Sequence, residues 1–400
     1  MLRFQNQVRM IGCLAVFLSM AEGAPCLAQS VLSGNAAVSE LVGRTNITSY
    51  KATLKALSDF GPRQIINQTQ TQSNIDAIAW AVGKWQTLGY EVTVYGAYKN
   101  VYCTKIGIQA PDSMYMVGAH LDGMSGGSCD DNASGCALVM EMARVFSDPN
   151  VSTRYSIRFI LFNQEEGGYL GSKEYADTRR SLQGKESPAG SGKYPEPRWL
   201  GLINQDMILY DHGVPFQPQQ ALDANLAANY CSFCDPRGSL ELANAVINVK
   251  QIVAVDYPCS LGTEMRGDEI NFMNDCPVVL VREGIDNHYN PTHHDDSDVY
   301  NTFSEADFAL GYSGVRRVMG AIASYAKAMV TIAGTSTRGA RSRGLTAVAA
   351  SDGSIRLYDA SGRAFPVCKR ANPRGSVGGV SSKHEAFGFP GLFFPEEKNR

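Results

Sequence analysis

Met114–Gly123 reads MYMVGAHLDG, an apolar run of strand character that stops at His120 and Asp122. The plan recurs in Phe159–Gly168, FILFNQEEGG, which stops at Glu165 and Glu166, and in Gly201–Met207, GLINQDM, which stops at Asp206. Runs apolar on both faces are what a parallel sheet covered on both sides demands. In such sheets ligands gather at the carboxyl ends of the strands, where these polar residues fall. Further strands are expected at Tyr90–Tyr95 and Pro277–Val281, and helices at Asn74–Leu88, Ala133–Phe146 and Glu305–Ile332. Strands alternating with helices define an α/β three-layer sandwich with a mostly parallel central sheet and helices on both faces, and place a site at the carboxyl ends of the strands, a metal site by the imidazole and carboxylates collected there.

Two more segments belong to that site. Cys129–Gly135, CDDNASG, carries Asp130 and Asp131, and Asn290–Asp298, NPTHHDDSD, carries His293 and His294. Taken alone, the first is a helix N-cap and a lone His is a buried, hydrogen-bonded core residue. Adjacent carboxylates such as Glu165 and Glu166 at the end of a buried strand are harder to place, because they repel each other without a cation. Imidazole and carboxylate are the ligands that suit a zinc-like divalent ion, and an Asp able to bridge permits two. His120 and Asp122, two apart at a strand end, point the same way, so the carboxylate can hold the second ring nitrogen. Together these residues read as a two-metal hydrolase.

The rest of the chain sets the setting. A formal charge of −3 over 400 residues offers no basic field for nucleic acid. Arg3 and Arg9, an apolar stretch from Met10 to Met20 and small residues up to Ala28 have the layout of a secretory signal peptide, cleaved after Ala28. The expected location is therefore secreted or periplasmic, without stable membrane insertion once the signal is removed. Residues 29–49 are small and polar and read as a mobile lead-in, 50–333 as the catalytic domain. Residues 334–400, rich in Gly, Ser and Arg, read as a disordered tail or a small appended module, with a hairpin-like patch at Ser354–Phe365. Ser181–Pro197 and Asp211–Asp235 interrupt the scheme and are expected as surface excursions near the site. Eight cysteines lie beyond the expected signal, and in an exported chain some should be paired; the Cys231–Cys234 CxxC fits a disulfide or free thiols better than structural zinc.

From Phe60 to Ile332 the order and context of these motifs resemble the co-catalytic zinc exopeptidases that include bacterial leucyl aminopeptidases, glutamate carboxypeptidase II, the transferrin receptor and glutaminyl cyclases. The resemblance implies two Zn2+ per chain. Asp131 would be shared by both, with Glu166 and His294 completing one set and His120 and Asp206 the other. It also implies Glu165 as general base, Asp122 as the partner of His120, and a cis peptide bond between Asp131 and Asn132. His294 is preferred to His293 because Asp298 follows it by four residues, as in the family. Where the family has Ser-Asp-His, this chain has Arg266-Gly267-Asp268-Glu269. The implied activity is release of N-terminal residues from peptides or proteins, with Met207, Leu280, Arg282, Asp286 and His293 in the substrate wall. A carboxypeptidase, a glutaminyl cyclase and a non-catalytic receptor-like protein share the scaffold.

Overall fold

In a computed structural model of the protein, the described residues are 29–210, 221–226, 238–263, 266–284 and 290–333 of one compact unit, Met1–Thr335, and three short strands of a second, Ser336–Arg400. The first unit is built on an eight-stranded sheet of β1 (Val92–Tyr95), β2 (Asn100–Lys105), β3 (Ala110–His120), β4 (Tyr155–Phe162), β5 (Arg198–Gln205), β6 (Leu222–Asn225), β7 (Cys259–Gly262) and β8 (Val278–Glu283). Their spatial order is β7-β6-β8-β5-β3-β4-β2-β1. The middle four, β8, β5, β3 and β4, run parallel, while β6 and β2 join this centre antiparallel on either side.

The sequence explains the centre. Side chains alternate between faces along a strand, and here both faces are covered. Val117, Ala119, Phe159, Leu161, Ile203 and Val281 enter one core, whereas Met114, Met116, Ile160, Phe162 and Leu202 enter another. Six helices close the first face: α1 (Gly34–Gly43), α2 (Ile47–Ser58), α3 (Gln72–Thr87), α4 (Gly135–Phe146), α6 (Ser239–Asn248) and α7 (Glu305–Tyr325). The second is closed by α5 (Leu170–Arg179) and by Trp199 and Phe272, whose ring centroids lie 5.1 Å apart. The expected sandwich is present, thick on one side and thin on the other. α7 starts at a capping box, with Ser304 accepting from the Asp307 N–H and Asp307 accepting from the Ser304 N–H.

Three expectations need correction. Order begins at Gln29, not near Tyr50: Gln29–Ser33 is a strand paired with Met329–Ala333, and α1 buries Ala37, Val38, Leu41 and Val42. The apolar residues of this short amphipathic stretch are covered by α7, far away in sequence. The last helix stops at Tyr325; a turn at Lys327 (φ 54°) leads into Met329–Ala333, whose β-branched Val330, Thr331 and Ile332 suit a strand. Ser181–Pro197 is a largely exposed excursion, but it feeds Arg198, which pairs with Ser113 near the start of β3 and so lies at the amino ends of the parallel strands, opposite the carboxyl ends. Of the two readings given for residues 334–400, a small module is the one to which Thr346–Ala349, Ile355–Tyr358 and Ala364–Phe365 correspond, since they form a small antiparallel sheet in the second unit. The expected signal peptide and most of Asp211–Asp235 lie outside the described residues.

A measurable consequence attends the first correction. Leu41 is fully buried, so Leu41→Ala should cost about 2–5 kcal/mol. Urea unfolding of the two proteins measures it; an unchanged midpoint would mean that residues 29–49 are a dispensable lead-in after all.

Candidate active site

Parallel strands in register deliver their carboxyl ends to one rim. His120, the last residue of β3, pairs with Phe162 at the end of β4, and Gln205, the last of β5, pairs with Val281 of β8. Asp122, Glu165, Glu166 and Asp206 therefore emerge side by side. Asp131 arrives from the turn before α4, and His293 and His294 arrive from the loop before α7.

Asp131 sits at the centre. Its Oδ1 lies 3.1 Å from His120 Nε2, which is also 3.3 Å from Asp206 Oδ1. Its Oδ2 lies 3.2 Å from Nε2 of both His293 and His294. Only His294 reaches on to Glu166 Oε2, at 2.9 Å, which sets it apart from its neighbour although the two rings stack with centroids 3.9 Å apart. Two groups of potential ligand atoms, each falling within 4.8 Å, thus share one carboxylate: His120, Asp131 and Asp206 form one, and Asp131, His293 and His294 the other, so His293, expected in the substrate wall, stands among the ligand atoms while Glu166 adjoins its group through His294. The Asp131–Asn132 peptide bond is cis, as the resemblance implied.

Two other carboxylates shape the backbone around these residues. Asp122 accepts from the N–H groups of Glu165 (3.1 Å) and Glu166 (3.2 Å), and Asp298 accepts from those of Asp130 (2.9 Å) and Asp131 (3.2 Å). The hold on the His120 ring expected from the Asp122 carboxylate is made by its carbonyl, which lies 3.1 Å from Nδ1, against 3.6 Å for Oδ1. With its proton held on Nδ1, His120 would turn an Nε2 lone pair to a cation bound between Asp131 and Asp206, whereas without one Nε2 carries a proton and donates to these carboxylates. Asp130 turns away, accepting from the Leu209 N–H at 2.9 Å and from Asn290 Nδ2 at 2.6 Å. Ser128, Gln164, Met207 and His294, all beside these residues, hold positive φ of 43°, 59°, 48° and 57°. Strain of this kind persists where surrounding structure over-determines the backbone.

The charge balance shows what the residues fit. Burial pushes Glu165 well above the ordinary carboxylate range, and burial with the Asp131 charge raises Glu166. Asp131, which burial alone would raise, is held well below that range by donation from His120, His293 and His294. His294 is pushed up to about 10 by its bonds to Asp131 and Glu166, and His120 is raised against the opposing effect of its burial by Glu165, Asp122, Asp131 and Asp206. These carboxylates demand positive charge, and Glu166 Oε1 is buried without a hydrogen-bond partner. Divalent cations held by imidazole nitrogens and carboxylate oxygens would meet both needs.

Of the expected substrate wall, Met207 and Arg282 are buried beside Asp206, with Arg282 Nη1 3.9 Å from Asp206 Oδ2 and Nη2 2.8 Å from Met207 Sδ. Leu280 is fully buried in β8 opposite Asn204, and Asp286 lies outside the described residues. Arg63 was not foreseen. It is fully buried and donates to the carbonyls of Leu57, Leu121, Gly127 and Ser128, tying α2 to the loops that carry Asp122 and Asp131. A lone Arg behind the Gly-Pro of Phe60–Arg63 was its only signal. Asp268 and Glu269 are buried too, and burial raises them to about 8 and about 7; Glu269 accepts from Asn204 at 2.9 Å. Cys103, Cys129, Cys136 and Cys259 are buried free thiols, so the pairing expected of an exported chain is not found among these four; Cys276 is buried as well, and Cys231, Cys234 and Cys368 lie outside the described residues.

Residues 100–308, more than half of the 400-residue chain, match the model of Peptidase family M28, and the chain belongs to that family. It is 29% identical over 173 residues to leupeptin-inactivating enzyme 1 of Streptomyces exfoliatus, covering 41% of this chain and 38% of that protein. Over 71 residues it is 44% identical to aminopeptidase YwaD of Bacillus subtilis, covering 18% and 15%. The chain thus spans well under half the length of these relatives. The LapA aminopeptidase of Legionella pneumophila shares the fold, with a TM-score of 0.58 and 16% identity over 72% of this chain and 74% of that one.

Proposed function

We propose that the protein is a two-zinc aminopeptidase that removes N-terminal residues from peptides. One observation carries the reading: the two oxygens of Asp131 face two different ligand groups, His120 with Asp206 and His294 with Glu166. Membership of the peptidase family and the aminopeptidase among its relatives support it.

Bound at these groups, zinc would act as a Lewis acid that polarises the scissile carbonyl and lowers the pKa of water. The protein's own residues do the rest. Glu165, buried beside the ligands but in neither group, takes the proton of the attacking water on its carboxylate and delivers it to the departing amine. Asp122 fixes the backbone of Glu165 and Glu166 together, so base and ligand keep their relative position. Asp298 does the same for Asp131. The cationic α-amine of the substrate finds its counter-charge in the carboxylates of the rim.

Export through the first 28 residues is part of the same proposal. No helix among the described residues is long and apolar enough to cross a membrane.

The test is hydrolysis of aminoacyl anilides by the zinc-loaded protein, side by side with N-acetylated versions of the same compounds. Cleavage of the free-amine compounds alone is expected. Equal cleavage of blocked compounds would exclude an aminopeptidase, and conversion of N-terminal glutamine to its cyclic form without anilide hydrolysis would make the protein a cyclase.

A further inference from the structure

A cavity of about 370 Å³ opens at the Glu166 end of the site, lined on its apolar side by Ile65, Ile66 and Met124 and on its polar side by Gln164 and Glu166. Ile65–Ile66 and Thr69–Gln70 form a small hairpin whose turn residues Asn67 and Gln68 have φ of 48° and 64°, the left-handed pair of a tight two-residue turn. The hairpin is tied down at its base. Gln64 donates to the Met124 carbonyl, Gln164 Nε2 donates to the Ile65 carbonyl at 3.4 Å, and the Gln64 carbonyl accepts from the Thr71 N–H at 3.0 Å. A built loop thus holds Ile66 and Met124 in water, 55% and 41% exposed.

The two ends of the site differ in a way that orients a peptide. At the Asp206 end Met207, Leu280 and Arg282 are 1%, 0% and 6% exposed, so among the described residues that end is closed. The Glu166 end opens outward. A first residue has nothing before it and suits the closed end, whereas the departing chain continues and needs the open one. Among the described residues the cavity is lined by no Lys or Arg, and Asp122 and Glu166 border it.

Resting on the aminopeptidase reading, we propose that Ile65, Ile66 and Met124 form the pocket for the second residue of the peptide, the one after the scissile bond, and that they select a large apolar side chain there over an acidic one. Covering these side chains removes apolar surface from water, which is favourable, while the neighbouring carboxylates repel a second-residue Asp or Glu.

The experiment measures kcat/KM on Leu-Leu-Ala, Leu-Arg-Ala and Leu-Asp-Ala, and on a series varying only the first residue ahead of Leu-Ala, for the zinc-loaded wild type, Ile66→Asp and Met124→Asp. The wild type should favour Leu over Asp at the second position by about tenfold or more. Each variant should lose about tenfold on Leu-Leu-Ala, shift toward Leu-Arg-Ala, and keep its ranking of first residues and its metal content. A uniform loss on all second residues, or a changed ranking of first residues with the second unaffected, would overturn the assignment. If the zinc-loaded wild type cleaves none of the peptides, the aminopeptidase reading itself fails and the subsite falls with it.

Discussion

Glu165→Gln is expected to lower turnover by about 10²- to 10⁴-fold while leaving metal content unchanged. The amide has the shape of the carboxyl group and keeps the backbone bond from residue 165 to Asp122, but it cannot accept a proton. Glu166→Gln, one residue on, should fail differently. Its Oε2 faces His294 across one ligand group, and an amide oxygen is a poorer ligand than a carboxylate for a divalent cation. That variant should bind less zinc and recover part of its activity when zinc is added, whereas the Glu165 variant should not respond. Metal analysis and turnover on both purified proteins decide it. Loss of metal from Glu165→Gln with full loading of Glu166→Gln would reverse the roles; near-wild-type turnover in both would mean that the catalytic centre lies elsewhere.

Prolonged chelation is expected to abolish hydrolysis and to lower the melting temperature, with zinc restoring both. The structural reason is the crowding of the buried Asp131, Glu165 and Asp206 with the half-buried Glu166. Losing a ligand present at a thousand times its dissociation constant removes about 4 kcal/mol of stability. Melting followed with and without zinc reads the linkage independently of turnover. Full activity in a sample verified as metal-free would refute the two-zinc reading, and an unchanged melting temperature would mean that these carboxylates hold no metal.

Much of this site was legible because its residues end apolar runs: His120, Glu165, Glu166 and Asp206 each follow strand-like sequence, and a parallel sheet carries them to one rim. The preference for His294 came from Asp298 four residues on, and His294 is the imidazole that meets Glu166. What stayed hidden depends on partners distant in sequence. Gln29–Ser33 is an unremarkable five-residue run until Met329–Ala333 lies beside it, and Val38 and Leu41 declare themselves core only once α7 covers them. Likewise Ile65 and Ile66, separated from the catalytic motifs in sequence, join the rim only through hydrogen bonds from Gln64 and Gln164. That the carbonyl of Asp122, not its carboxylate, takes the nearer position to His120 Nδ1 is a matter of a few tenths of an ångström that residue spacing cannot resolve.

The ladder between Gln29–Ser33 and Met329–Ala333 sets a condition on how this unit is made. Gln29 lies opposite Ala333, so two points about three hundred residues apart along the chain end up one strand spacing, about 5 Å, from each other. A ribosome delivers the first of these strands long before the second. Until residue 333 has emerged, the opening strand has no edge to join and α1 has no α7 to cover its apolar face. Closing so long a loop is entropically costly and slow. The catalytic unit therefore completes itself only after its synthesis is over, and a chain stopped short of Met329–Ala333 leaves Gln29–Ser33 without the strand it pairs with.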